Sequence, residues 1–126
     1  MLEIEPTDRT PLVRLDGQHQ LMRIAGESWP ENVTAFYGHV SEALTRYFQE
    51  GERQLEVHID LVYFNSGTAR ALGDMMRQLD QFAEARHKVA LIWHCDKSDD
   101  IAHEFAEDIS AQLRFVQVDI KETQNV

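Results

Sequence analysis

Between Leu55 and Phe82 the spacing of apolar residues changes from two to three or four, across a single four-residue turn. Leu55, Val57, Ile59 and Leu61 alternate with Glu56, His58 and Asp60, which is the period of a strand with one covered face and one wetter face. The strand runs on through Val62, Tyr63 and Phe64 and stops at Asn65-Ser66-Gly67-Thr68. Beyond that turn, Ala69, Leu72, Met75, Met76, Leu79 and Phe82 fall on one side of a helix. A strand that feeds a helix through so short a turn is half of a β-α-β unit. Such units demand parallel pairing and right-handed crossovers.

The rest of the chain repeats this alternation. Val33, Phe36, Tyr37, Val40, Ala43, Leu44, Tyr47 and Phe48 form one continuous helical face, closed by Gly51. From Lys88 the run VALIWH reads as a strand more deeply buried than the 55–64 strand. Ile101, Ala102, Phe105 and Ile109 mark a third, shorter helix, and 113–120 the last strand. Upstream, Leu12–Leu15 and Gln20–Ala25 flank Asp16-Gly17, a hairpin pattern. Residues 26–32, GESWPEN, read as a loop. The first eleven residues, polar and holding Pro6 and Pro11, read as a loose lead-in in which Leu2 and Ile4 can pair as an edge; 121–126 read as a polar tail. The order is β-β-α-β-α-β-α-β. It predicts a single α/β domain over 1–126, with a mixed, mostly parallel sheet of about five strands, three main helices and one antiparallel strand from the hairpin.

Composition narrows the function. The 126 residues carry 12 Lys and Arg against 22 Asp and Glu, a formal net charge of −10. A nucleic-acid binder draws its affinity from cations on phosphates, so this chain is expected to repel nucleic acid and anionic membranes alike. Cys95 is the sole cysteine, which rules out an internal disulfide or a multi-cysteine metal site. The apolar runs fall far short of a membrane span, and MLEIEPTDRT lacks the basic start and apolar stretch of a signal peptide. A cytoplasmic location is the expectation.

In a parallel sheet the loops leaving the C-terminal ends of the strands gather on one edge, where ligands and partners usually meet the fold. GESWPEN, NSGT and HCDKSDD are therefore expected as neighbours. Ser66 stands at the start of a helix, where its hydroxyl reads as an N-cap or as a phosphoacceptor; the readings are compatible, because a phosphoryl group there meets the helix dipole and free N–H groups. Gly67 removes bulk beside it, and Arg70, at i+4 from Ser66, is within reach of a phosphoryl group. Trp29 reads as a lid on the core or an anchor for a partner. Met75-Met76 is core packing, with Met76 able to face a partner. No metal or cofactor is expected. His94-Cys95-Asp96 alternates across a strand and chelates poorly, and the six histidines lack ligand spacing. The acids of DKSDD read as a helix N-terminus capped at Ser98 or Asp99. The alternative to a binding module is a small metal-assisted enzyme built on 94–100.

The segments GESWPENVTAFYGHV, LVYFNSGTARAL and VALIWHCD resemble the SiaC family of bacterial regulatory phosphoproteins, in the same order of elements from about Leu12 to Ile120. The resemblance implies a fold like the STAS domain of anti-sigma-factor antagonists and a protein that is not an enzyme. It implies a partner switch: a cognate kinase phosphorylates one hydroxyl, a PP2C-type phosphatase removes the phosphate, and the unphosphorylated form binds and activates a diguanylate cyclase. Cyclic di-GMP and biofilm growth then rise. The acceptor in such proteins follows the asparagine, hence Ser66 after Asn65 here, with Thr68 in reserve. The best-known branch has threonine followed by serines at this point, where this chain has Ser66-Gly67-Thr68. An anti-sigma-factor-antagonist type of switch with another effector is compatible with the same fold. Trp29, Asn65, Gly67 and Arg70 are the residues expected to meet a partner.

Overall fold

The computed structural model describes residues 2–123. Its elements run β1 (Leu2–Ile4), β2 (Leu12–Asp16), β3 (Leu21–Ser28), α1 (Val33–Phe48), β4 (Gln54–Phe64), α2 (Ser66–Glu84), β5 (Lys88–Asp96), α3 (Asp100–Ser110) and β6 (Gln117–Thr123). The strands form one six-stranded sheet in the order β1-β2-β3-β4-β5-β6. Pairings β1·β2 and β2·β3 are antiparallel, and β3·β4, β4·β5 and β5·β6 are parallel. As the hairpin implied, β2 is the single strand running against the rest.

Six strands replace the expected five because the lead-in is partly ordered as an edge. Leu2 and Ile4 pair opposite Leu15 and Val13, and Arg14 on β2 donates from Nη2 to Glu3 Oε1 at 2.8 Å. The polar tail is shorter than expected, since Lys121–Thr123 complete β6; 124–126 lie outside the described residues. The hairpin strand extends to Ser28, so the GESWPEN loop begins at Trp29. A register shift between Gly26 and Glu27 accommodates the change, with Gly26 at φ +114°, a conformation that glycine adopts at little cost. The last strand begins at Gln117 rather than Leu113, because residues 114–116 turn over Asp80. The backbone N–H groups of Arg114, Phe115 and Val116 all reach its carboxylate, at 2.8 to 3.1 Å for the closest contacts.

Strand order decides where the helices go. Each crossover from β3 onward steps to the next strand in the same direction, so right-handed connections put all three helices on one face. The burial pattern agrees. Leu55, Val57, Ile59 and Leu61 are buried, and one core holds them with Val40, Leu44 and Tyr47 of α1, Leu72, Met76 and Leu79 of α2, and Ala106 of α3. Met76 is fully buried in this core and is not offered to a partner, while Met75 keeps 4% of its surface exposed. On the opposite face Arg23, Glu56 and Asp60 keep about half of their side-chain surface in water. Loops at the C-terminal ends of β3 and β4 adjoin, as the parallel arrangement requires: Asn65 N donates to Ser28 O at 3.2 Å.

Candidate phosphorylation site and docking groove

Two good capping residues sit side by side at the end of β4, and the backbone chooses the first. Asn65 is extended, at φ −91° and ψ 177°, and its Oδ1 accepts from Thr68 N at 2.9 Å. Asn65 is thus the N-cap of α2, and Ser66 is the first helical residue rather than the cap. This correction frees the Ser66 hydroxyl, which is exposed, stands at the positive end of the helix dipole, and makes no hydrogen bond among the described residues.

Thr68 has the opposite environment. It is 0% exposed, and its hydroxyl donates to Ser28 O at 2.9 Å. Ser28, also 0% exposed, lies with Oγ 2.9 Å from Thr68 Oγ1 and 2.7 Å from the Tyr37 hydroxyl. Each hydroxyl has one proton. Since the Thr68 proton goes to the carbonyl, the chain runs one way: Tyr37 donates to Ser28 Oγ, and Ser28 donates to Thr68. Burial pushes the Tyr37 phenol up to about 12, against the lowering effect of its hydroxyl neighbours. The relay ties β3, α1 and the first turn of α2 together beneath Ser66. Ser28 read as loop and Tyr37 as core, so only their contact in space discloses it.

Beside Ser66 a groove of about 450 Å³ opens between α1 and α2. Val33, Tyr37, Ala71 and Met75 supply its apolar lining, with Gly38, Gly67 and Arg70 also along it. A Cβ placed on Gly67 would rest 3.5 Å from Val33 Cγ1, an ordinary contact, and one on Gly38 would meet nothing within 4 Å. The two glycines therefore keep the groove open rather than satisfy a backbone demand. Farther along, Ser41 Oγ donates to Gln78 Oε1 at 3.0 Å and Gln78 Nε2 returns to Ser41 O at 3.1 Å, fastening the helices to each other. Arg70 is exposed and has no ion pair or hydrogen bond among the described residues, while its neighbour Asp74 is held by Arg77.

Gly67 and Arg70 thus both line the groove, whereas Ser66, exposed and next to Gly67 in the chain, is not one of its lining residues. Trp29 does not line the groove. It is 36% exposed, its backbone N–H donates to Arg9 O at 2.7 Å, and the Arg9 guanidinium lies 5.4 Å from its ring centre. The lead-in segment covers it in part.

The 94–100 loop uses its acids structurally. Asp96 Oδ1 accepts from Ser98 N at 2.9 Å and Ser98 Oγ at 2.7 Å, and Asp99 caps α3 through Ala102 N at 3.1 Å. Cys95 is buried toward the helices, where burial and then the Asp99 carboxylate push its thiol up, away from the reactive thiolate. No group of three or more His, Cys, Asp or Glu among the described residues is arranged to hold a metal ion.

With this geometry in place, comparison with known proteins is decisive. The model of the SiaC family regulatory phosphoproteins matches residues 4–123. The chain belongs to the SiaC family. It is 32% identical over 113 residues to an uncharacterized protein of Pseudomonas aeruginosa strain UCBPP-PA14, covering 86% of this chain and 90% of the relative. The crystal structure of apo-SiaC from P. aeruginosa superposes with a TM-score of 0.88 at 29% identity, over 95% of this chain and 97% of that one. A second similar structure is that of the diguanylate cyclase SiaD in complex with its activator SiaC, also from P. aeruginosa. Its matching chain gives a TM-score of 0.91 at 28% identity, over 98% of this chain and 100% of that one. As a SiaC family member, this chain has a three-helix, mostly parallel α/β fold in common with the solved SiaC proteins. No helix among its described residues is long and apolar enough to cross a membrane.

Proposed function

We propose that this chain is a phosphorylation-gated regulator that binds and activates a diguanylate cyclase while unphosphorylated, and that Ser66 is its phosphoacceptor. The observation that carries the reading is the contrast within one turn: Ser66 is exposed and unbonded, whereas the Thr68 hydroxyl is enclosed and committed to Ser28. A kinase can reach the first without disturbing the fold and the second only by opening it. Phosphorylation adds about −1.5 to −2 charges one residue away from Gly67, which lines the α1–α2 groove. We place the cyclase in that groove, so the new charge opposes docking by repulsion and desolvation, without a large change of shape. Arg70, lacking a partner of its own, is positioned to receive the phosphoryl group or an acidic residue of the effector.

On this reading the protein acts by binding and is not an enzyme. A cognate kinase and a PP2C-type phosphatase set its state in the cytoplasm, and its fold is STAS-like. Intact-mass analysis of protein from its own host, with phosphatase treatment, tests the modification. A species heavier by one phosphate should appear, vanish on treatment, and be missing in Ser66→Ala. Undiminished phosphate in Ser66→Ala would remove Ser66 as acceptor.

A further inference from the structure

The face of the sheet that no helix covers carries a feature the regulatory reading does not use. His58 on β4 and His94 on β5 bring Nδ1 and Nε2 to 2.8 Å, with ring centres 5.1 Å apart and planes 19° apart. The nitrogen contact plus one ring radius at each end accounts for the whole separation of the centres. One arrangement satisfies this: the imidazoles meet edge to edge, nearly in one plane, nitrogen aimed at nitrogen. Lone pairs aimed head-on do not converge on a metal ion, but they do share a proton. The other nitrogen of His58, Nε2, lies 3.0 Å from Glu56 Oε2, so its proton is held by that carboxylate. His58 Nδ1 is left as acceptor and His94 Nε2–H as donor.

We propose that His58 and His94 form a one-proton clip between β4 and β5, which takes up a first proton with its hydrogen bond intact and is forced open by a second. The first proton, from solvent, binds His94 Nδ1. The resulting imidazolium still donates from Nε2 to His58, now as a charge-assisted hydrogen bond. The second must bind His58 Nδ1, where it meets the His94 N–H head-on, and two cations then face each other. Such a pair titrates as a unit in two separated steps.

The groups facing it come from every neighbouring strand. Arg23 stands on β3, Glu56 and Asp60 on β4, and Asp119 and Lys121 on β6. Burial holds His94 below the usual imidazole range; Asp60 opposes that lowering, and His58, Lys121 and Arg23 reinforce it. A lowered folded value means that what buried His94 contributes to stability is complete above the ordinary imidazole value, about 6.5, and is lost as pH falls through the folded one, whereas the hydrogen bond of the clip itself is lost only with the second proton.

Nitrogen-detected NMR of the imidazole rings, followed from pH 8 to pH 4, tests this. In the parent protein the proposal expects two steps at least one pH unit apart, with both rings responding to the first. In His58→Gln and in His94→Gln the remaining ring should titrate in one step, at a pH different from either parent step. The parent titration alone decides the matter should a variant fail to fold. Single, independent steps for each ring in the parent, or a His94 curve unmoved by His58→Gln, would overturn the proposal.

Discussion

Replacing Thr68 by valine separates a structural hydroxyl from a regulatory one. The two side chains have nearly the same shape, so the change removes a hydroxyl without leaving a cavity. In the parent this hydroxyl donates to Ser28 O and accepts from Ser28 Oγ, both at 2.9 Å and both fully buried. Ser28 O keeps its bond from Asn65 N and loses little. The Ser28 hydroxyl proton, however, loses its acceptor in a site closed to water. Losing a net hydrogen bond costs about 1 kcal/mol, and stranding a buried donor adds about 1–3 kcal/mol. Thr68→Val should therefore destabilise by about 2–4 kcal/mol. At roughly 4 °C per kcal/mol for a domain of this size, the melting temperature falls by about 8–16 °C. Ser66→Ala removes an exposed, unbonded hydroxyl and should stay within about 0.5 kcal/mol of the parent. Chemical denaturation of both variants gives the comparison, with an unchanged m-value as the two-state control. Two variants melting within a degree of each other would refute the buried relay, and with it the reason for separating Ser66 from Thr68.

Other expectations follow from the same contacts. Asn65→Ala removes the cap of α2 and should cost about 1 kcal/mol by denaturant titration, while Asn65→Asp, which keeps the acceptor, should cost much less. Arg70→Glu should weaken effector binding at least about tenfold, roughly 1.4 kcal/mol, with little change in melting temperature. Glu122→Lys, on β6 away from the groove, should leave binding nearly unchanged; equal effects would mean that bulk charge is sensed. Asp80 is partly desolvated, which raises its carboxyl, but the N–H groups of Phe115, Val116 and Arg114 outweigh this and hold it below the usual value. A depressed carboxyl stabilises above its unfolded value and loses that contribution as pH falls through the folded one. Melting temperature should accordingly drop more steeply below about pH 4 in the parent than in Asp80→Asn.

The period of the apolar residues made most of the fold legible. The alternation at 55–61 and the α1 face from Val33 to Phe48 are both found where the pattern put them. What escaped was set by partners distant in sequence. Leu2–Ile4 is three residues long and becomes a strand only because β2 lies alongside it. The segment Gly26–Ser28 looks like loop because its polar residues face either the bulge or a buried hydroxyl relay. Helix coverage of a single sheet face depends on strand order, which the alternation of strands and helices leaves open. At the site, the turn itself was evident, but the assignment within it was off by one. Asn and Ser cap equally well, and the extended backbone of Asn65 decides between them. The groove needs two helices placed side by side, and no spacing within either one announces it.

The central claim is that charge on Ser66 switches docking while leaving the fold in place. Its most direct test is calorimetric titration of the cognate diguanylate cyclase with two preparations of this protein, one unphosphorylated and one fully phosphorylated at Ser66, each checked by intact mass and thermal melting. The account predicts binding by the first and loss of at least tenfold in affinity for the second, with melting temperatures within about 4 °C, the equivalent of 1 kcal/mol. Equal affinity of the two forms, or weakened binding accompanied by a collapse in melting temperature, would contradict it.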